Sequence, residues 1–133
     1  MLDHTADYMV EIRAPDLRSL FAEAAVAFLD ILSDPETVRP RLPVAVQVEA
    51  ENTEALLVSW LTELLFLYES EGWLFSRFEF FVLTGTQLEA EAWGEKLDPS
   101  RHPIDREIKA VTYHRLRLVK EGDGLKTTIV FDL

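Results

Sequence analysis

Acidic residues stand near both ends of the chain, in Asp3-His4-Thr5-Ala6-Asp7 and in Phe131-Asp132-Leu133. Carboxylates are hard oxygen donors. Asp7 and Asp132, joined by the terminal carboxylate of Leu133, would make an all-oxygen set suited to Ca²⁺ or Mg²⁺. That requires the two ends to lie close together, as the termini of a domain often do. The alternative is that both ends are solvated and simply carry charge. His4, three residues before Asp7, either orients such a ligand or meets solvent, because an imidazole satisfies a local hydrogen bond as readily as it binds a metal.

The elements that would position these groups follow from alternation and turn signals. A strand over Lys126–Leu133 puts Thr127, Ile129 and Phe131 on one face and Thr128, Val130 and Asp132 on the other. Asp132 is therefore directed, and an opening strand laid beside it would bring Asp7 to the same point. The segment from Glu107 to His114 places Glu107, Lys109, Val111 and Tyr113 on one side and Ile108, Ala110, Thr112 and His114 on the other. Polar groups on both sides fit a binding surface, a buried hydrogen-bond network or a solvated edge strand. His102, between Arg101 and Pro103, reads as an exposed loop residue.

Val10 and Ile12 alternate with Glu11 and Arg13 in a short strand, and Pro15-Asp16 supplies a break and an N-cap. Leu17, Leu20, Phe21, Ala24, Phe28, Leu29, Ile31 and Leu32 then repeat at three and four residues, which predicts a helix ending near Ser33-Asp34-Pro35. Pro35, Pro40 and Pro43 mark a loop before a strand over Val44–Glu49. A second helix starts at Asn52 or Thr53, carries Leu56, Leu57, Trp60, Leu61, Leu64, Leu65 and Tyr68 on a wide apolar face, and stops at Gly72. The remainder reads as strands at Leu74–Leu83, Gln87–Trp93, Ile108–Val119 and Lys126–Leu133. Strands and helices are segregated rather than alternating. The expected fold is one α+β domain over residues 1–133, with two helices on one face of a mainly antiparallel or mixed sheet of about six strands.

Composition narrows the chemistry. A chain of 133 residues that is 48% hydrophobic can bury a core without staples. The absence of cysteine excludes disulfides, thiolate metal sites and cysteine nucleophiles, and it suits the cytoplasm. The apolar run from Ala55 to Tyr68 is broken by Ser59, Thr62 and Glu63, too short and polar to span a bilayer. A formal net charge of −11 opposes unaided binding to a phosphate backbone. Basic residues outnumber acidic ones only between Lys96 and Lys126, so the molecule has two electrostatic faces. The five glycines form no phosphate-cradling loop, the serines lie in no nucleophile elbow, and the tryptophans are interleaved with acidic residues rather than basic ones.

Asp3-His4-Thr5-Ala6-Asp7, Glu54-Ala55-Leu56-Leu57, Glu71-Gly72 with Phe75-Ser76-Arg77-Phe78, Trp93-Gly94-Glu95, and Glu107 through His114 together resemble the archease family, in order and over nearly the whole chain. The resemblance implies a protein that is not itself an enzyme. Its implied role is accessory factor of the GTP- and Mn²⁺-dependent tRNA-splicing RNA ligase, promoting guanylylation and turnover and meeting tRNA only indirectly. It implies a metal site at Asp7, Asp132 and Leu133, with Ca²⁺ as occupant and Mg²⁺ or Mn²⁺ as alternatives. His4, Lys109, Tyr113 and His114 would be supporting or partner-binding residues. Met9 stands where the family usually has glycine. Two other readings remain open: a general chaperone or adaptor, and a metal-dependent phosphoester hydrolase using Asp7, His4, Asp132 and His114.

Overall fold

A computed structural model describes residues 7–112 and 116–133. The chain runs β1 (Asp7–Ala14), α1 (Leu17–Leu32), a short 3₁₀ turn (Pro35–Thr37), β2 (Leu42–Glu49), α2 (Thr53–Glu71), β3 (Trp73–Leu83), β4 (Gln87–Lys96), β5 (Ala110–Thr112), β6 (Leu118–Glu121) and β7 (Gly124–Asp132). Both helices begin where side-chain caps allow it. Asp16 Oδ1 accepts from the Ser19 N–H and Asn52 Oδ1 from the Ala55 N–H, each at 2.8 Å, satisfying amides that the first turn leaves unpaired. α2 ends at Gly72, whose φ of 76° is the left-handed conformation that glycine adopts without a Cβ penalty.

The α+β class with two helices and antiparallel strands holds, but the strands divide into two sheets. β1, β5 and β6 all pair with β7, while β2 and β3 both pair with β4. No ladder joins the two sets among the described residues. The expected single strand over Ile108–Val119 is in fact β5 and β6, set one after the other along the same edge of β7. Each helix packs on strands of both sheets: α1 on β1, β3 and β7, and α2 on β2, β3, β4 and β5. The helices therefore bridge what hydrogen bonds do not.

The periodicity seen in the sequence explains this bridging. Leu20, Phe21, Ala24, Ala25, Phe28, Leu29, Ile31 and Leu32 of α1 are all buried, and Phe28 meets Phe131 of β7 with ring centroids 6.3 Å apart. Trp60 of α2 is fully buried. Its indole N–H donates to the Phe21 carbonyl at 3.1 Å, tying the helices together. Its ring lies edge-on to Phe78 and Phe80 of β3 at 5.6 and 5.3 Å. No described helix is long and apolar enough to cross a membrane.

β3 leaves no room for a side chain at Gly94 of β4. A Cβ built there would stand 1.8 Å from the Leu74 carbonyl oxygen, and backbone on the neighbouring strand cannot move aside as a flexible side chain would. Gly94→Ala is expected to cost about 3 kcal/mol or more of unfolding free energy. Chemical denaturation compared with wild type checks this; an unchanged midpoint would mean that the strands part freely at Gly94.

Candidate functional site

The two ends of the sequence do meet. β1 and β7 pair antiparallel in a continuous register from Asp7↔Asp132 to Ala14↔Leu125, so the two aspartates are directly opposite. Residues opposite one another in a ladder share a face, with Cβ atoms about 5 Å apart. Val10, Ile12 and Ala14 turn to the core with Ile129, Thr127 and Leu125, and the other face carries Asp7, Met9, Glu11 and Arg13 beside Asp132, Val130, Thr128 and Lys126. Among the described residues, charge on that second face is compensated at one end only. Arg13 binds Glu11 and Glu121 at 2.6 Å each, and Lys126 lies 3.6 Å from Glu11 and 3.7 Å from Glu121. No described cation pairs with Asp7 or Asp132.

Asp132 carries the sharper anomaly. Its Oδ1 is buried and has no hydrogen-bond partner among the described residues. Burying an acceptor without a partner is costly, and such a group needs an explanation. Its backbone is well held: the carbonyl accepts from the Lys109 N–H at 2.7 Å, and Ala110 lies opposite it on β5. Asp7 is exposed, Leu133 half-buried and Lys109 exposed. Next to Asp7, the Arg106 guanidinium stands over the Tyr8 ring, 5.4 Å from its centroid. No group of three or more His, Cys, Asp or Glu side chains converges among the described residues. The described donors are thus two carboxylates and main-chain oxygen. His4, Tyr113 and His114 lie outside the described residues.

The loop that delivers Lys109 to β7 is anchored by a buried ionic cluster at the end of β4. Glu95 is 5% exposed. It accepts from Arg101 at 2.6 Å, from the Arg39 backbone N–H at 2.9 Å and from His102 Nε2 at 2.9 Å. His102 is not an exposed loop residue as expected but is 1% exposed. Its Nδ1 accepts from the Asp98 N–H at 2.9 Å, which assigns the ring proton to Nε2, facing Glu95. On either side of this cluster, the Leu97 N–H donates to the Gly72 carbonyl at 2.7 Å and the Asp105 N–H to the Leu32 carbonyl at 2.9 Å, while the Ser33 hydroxyl donates to the Pro103 carbonyl. The segment between the sheets is thereby fixed to both helix ends.

Comparison with known proteins settles the family. The archease protein family matches residues 1–133. The chain belongs to it. The protein archease of Methanopyrus kandleri is 37% identical over 99% of this chain and 96% of its own length, and that of Sulfurisphaera tokodaii 35% over 98% and 95%. Protein 1598 of Methanobacterium thermoautotrophicum, solved in solution, superposes with a TM-score of 0.81 at 31% identity, over 99% of this chain and 96% of that one. The crystal structure of a Thermotoga maritima archease, described as a possible chaperone, gives 0.70 at 26%, over 100% and 95%. Within this archease-family chain Met9 pairs with Val130 in unbroken register and is an ordinary strand residue, 53% exposed.

Glu95 escaped the sequence reading because β4 alone does not bury it. It lies on the face opposite Leu88, Ala90 and Ala92, and the loop folding back over it, with Arg101 and His102, covers it. Burial pushes the Glu95 carboxyl upward, but the hydrogen bonds from Arg101, the Arg39 N–H and His102 outweigh it and hold the group at about 2, below its ordinary 4.5. A depressed carboxylate contributes stability that is fully present above its unfolded value and is lost as pH falls through the folded one. Wild type is expected to lose this contribution between about pH 4.5 and 2. Glu95→Gln should melt at lower temperature at pH 7, with the gap narrowing across that window. A gap independent of pH would mean that the ionised carboxylate contributes nothing.

Proposed function

We propose that this chain is a non-enzymatic accessory factor that activates the GTP-dependent tRNA-splicing RNA ligase, promoting its guanylylation and turnover. A divalent cation would be held by Asp7, Asp132 and the main-chain oxygen of Leu133. The observation that carries this reading is the pairing of Asp7 with Asp132, one oxygen of which is buried without a partner. A hard cation fits: the donors are all oxygen, they are uncompensated by any described side chain, and Ca²⁺ accepts both carboxylate and carbonyl ligands in flexible geometry. Mg²⁺ or Mn²⁺ would use the same donors with more water. When bound, the cation would supply positive charge where a transferring phosphate develops negative charge.

The chain's own residues account for the rest. Asp132, fixed through the Lys109 N–H, holds one oxygen inside the sheet, while Asp7 stays exposed and presents its carboxylate outward. Lys109, exposed beside them, offers an ammonium to an acidic or phosphate group of the partner. The acidic balance of the chain favours contact with tRNA through the ligase rather than directly. The description of the Thermotoga maritima relative as a possible chaperone supports a protein as the partner. The absence of cysteine suits a cytoplasmic setting.

Ligase guanylylation at limiting GTP, with this chain substoichiometric to ligase, tests the reading. Wild type is expected to stimulate, and Asp7→Ala and Asp132→Ala each to lose about tenfold or more of the stimulation, the scale on which metal sites respond to lost support. Undiminished stimulation by both variants would sink the cation site. No stimulation by wild type of a cognate ligase would sink the accessory role.

A further inference from the structure

The two sheets leave a gap, and its walls have the chemistry of a strand-binding groove. A cavity of about 490 Å³ lies over α2, floored by Val58, Ser59, Thr62 and Glu63, with Val48 and Glu49 of β2 on one wall and Val111 of β5 on the other. Its volume is in the range of ligand-binding clefts. Val58 and Val111 are buried beneath it, and Glu49 and Glu63 bring two carboxylates that no described cation neutralises.

Among the described residues the β2 wall is an open strand edge. The Ala50 N–H bonds the Thr86 carbonyl at 2.9 Å, extending the β2–β4 register in which Val48 faces Leu88 and Val46 faces Ala90. Backbone groups alternate in an antiparallel ladder, so Ala45, Gln47 and Glu49 direct their N–H and C=O away from β4. Pro43, which has no N–H to offer, falls in the same alternation. Exposed edges recruit other strands, and proteins blunt them with bulges, charges or coverings. The other free edge of this sheet, β3, is blunted twice. It has register breaks between Phe75 and Arg77 and between Phe80 and Val82, and Arg18 of α1 donates to the Phe80 carbonyl. β2 runs eight residues with no register break and no lysine. Among the described residues nothing covers the β2 edge between Pro43 and Glu49.

We propose that β2 receives an extended segment of another protein, which adds a strand beside Ala45, Gln47 and Glu49 and lies in the groove over α2. Main-chain bonds to the open edge would supply affinity, and alternate side chains would supply specificity. The face of the added strand turned to α2 meets Val48, Val58 and Val111 and must be apolar, with a basic residue where it passes Glu63; the opposite face, level with the Glu49 carboxylate, must be basic. A second copy of this chain fits less well, because it would bring its own −11 charge to the same edge. This inference is independent of the cation site.

Nuclear magnetic resonance titration with the octapeptide Lys-Val-Lys-Val-Lys-Val-Lys-Val tests it, with the Glu-Val octapeptide as control. The basic peptide is expected to shift the amides of Ala45, Gln47 and Glu49, and the acidic one to leave them unmoved. Gln47→Pro removes an outward N–H without touching the ladder to β4 and should weaken binding at least tenfold. The Glu49→Lys/Glu63→Lys double variant should do the same, and it carries the test if the proline variant loses the dispersed spectrum of a folded chain. The proposal is overturned if the basic peptide leaves those three amides unmoved, or if both peptides bind alike. Retained affinity in the folded variants overturns it too. So does peptide-free self-association that broadens those amides and disappears in the double variant, which would make the occupant a second copy.

Discussion

The β1–β7 ladder is the constraint on which the rest of the structure depends. Its register places two carboxylates directly opposite each other, an arrangement that costs stability in a ladder because like charges repel across the strands. The remaining pairs offset that cost. Ile129 and Phe131 of β7 are fully buried, and burying a large apolar side chain contributes about 1.5–3 kcal/mol. A slip of one residue would turn Ile129 and Phe131 out of the core and bring Asp132 into it. The same apolar packing that holds the sheet to α1 therefore fixes the position of the aspartates, and their repulsion cannot relax by sliding.

A second anchor is needed because no hydrogen-bonded ladder links the sheets among the described residues. The chain leaves β4 at Lys96 and enters β5 at Ala110, and between them it must cross from one sheet to the other. The end of α2, with Glu95, Arg101 and His102, holds the start of that crossing, the end of α1 holds its middle, and the Lys109 N–H fastens its end to Asp132. Buried ionic clusters are weak sources of net stability but good determinants of geometry. Here the geometry is that of the strand abutting the paired aspartates.

Much of this was legible in the sequence, and the failures have physical causes. Both helices were visible because their apolar stripes and caps are local: Asp16, Asn52 and Gly72 act within a turn of where they stand. The facing of Asp132 followed from period-two alternation alone. What the sequence could not show was pairing. Glu107 to His114, polar on both sides, gave no sign that its described part contributes only a three-residue strand, nor that β6 would follow it along the same edge of β7. His102 looked like a loop residue because its burial comes from Glu95, Asp98 and the fold of its own segment, contacts that no periodicity encodes. Asp7 and Asp132 were singled out by type and by family resemblance, whereas the unpartnered Oδ1 emerges only from three-dimensional packing.

The outer face of the β1–β7 sheet shows how selective that packing is. Arg13 and Lys126 neutralise Glu11 and Glu121 at one end, so cations are available to this face and are placed where acids sit close in the ladder. At the other end Arg106 lies over Tyr8, and Lys109 contributes its backbone N–H to the Asp132 carbonyl while its side chain stays exposed. Surface ion pairs are worth at most about 1 kcal/mol. Omitting one therefore costs little in stability, and among the described residues it leaves two opposed carboxylates, one with a buried oxygen that has no partner.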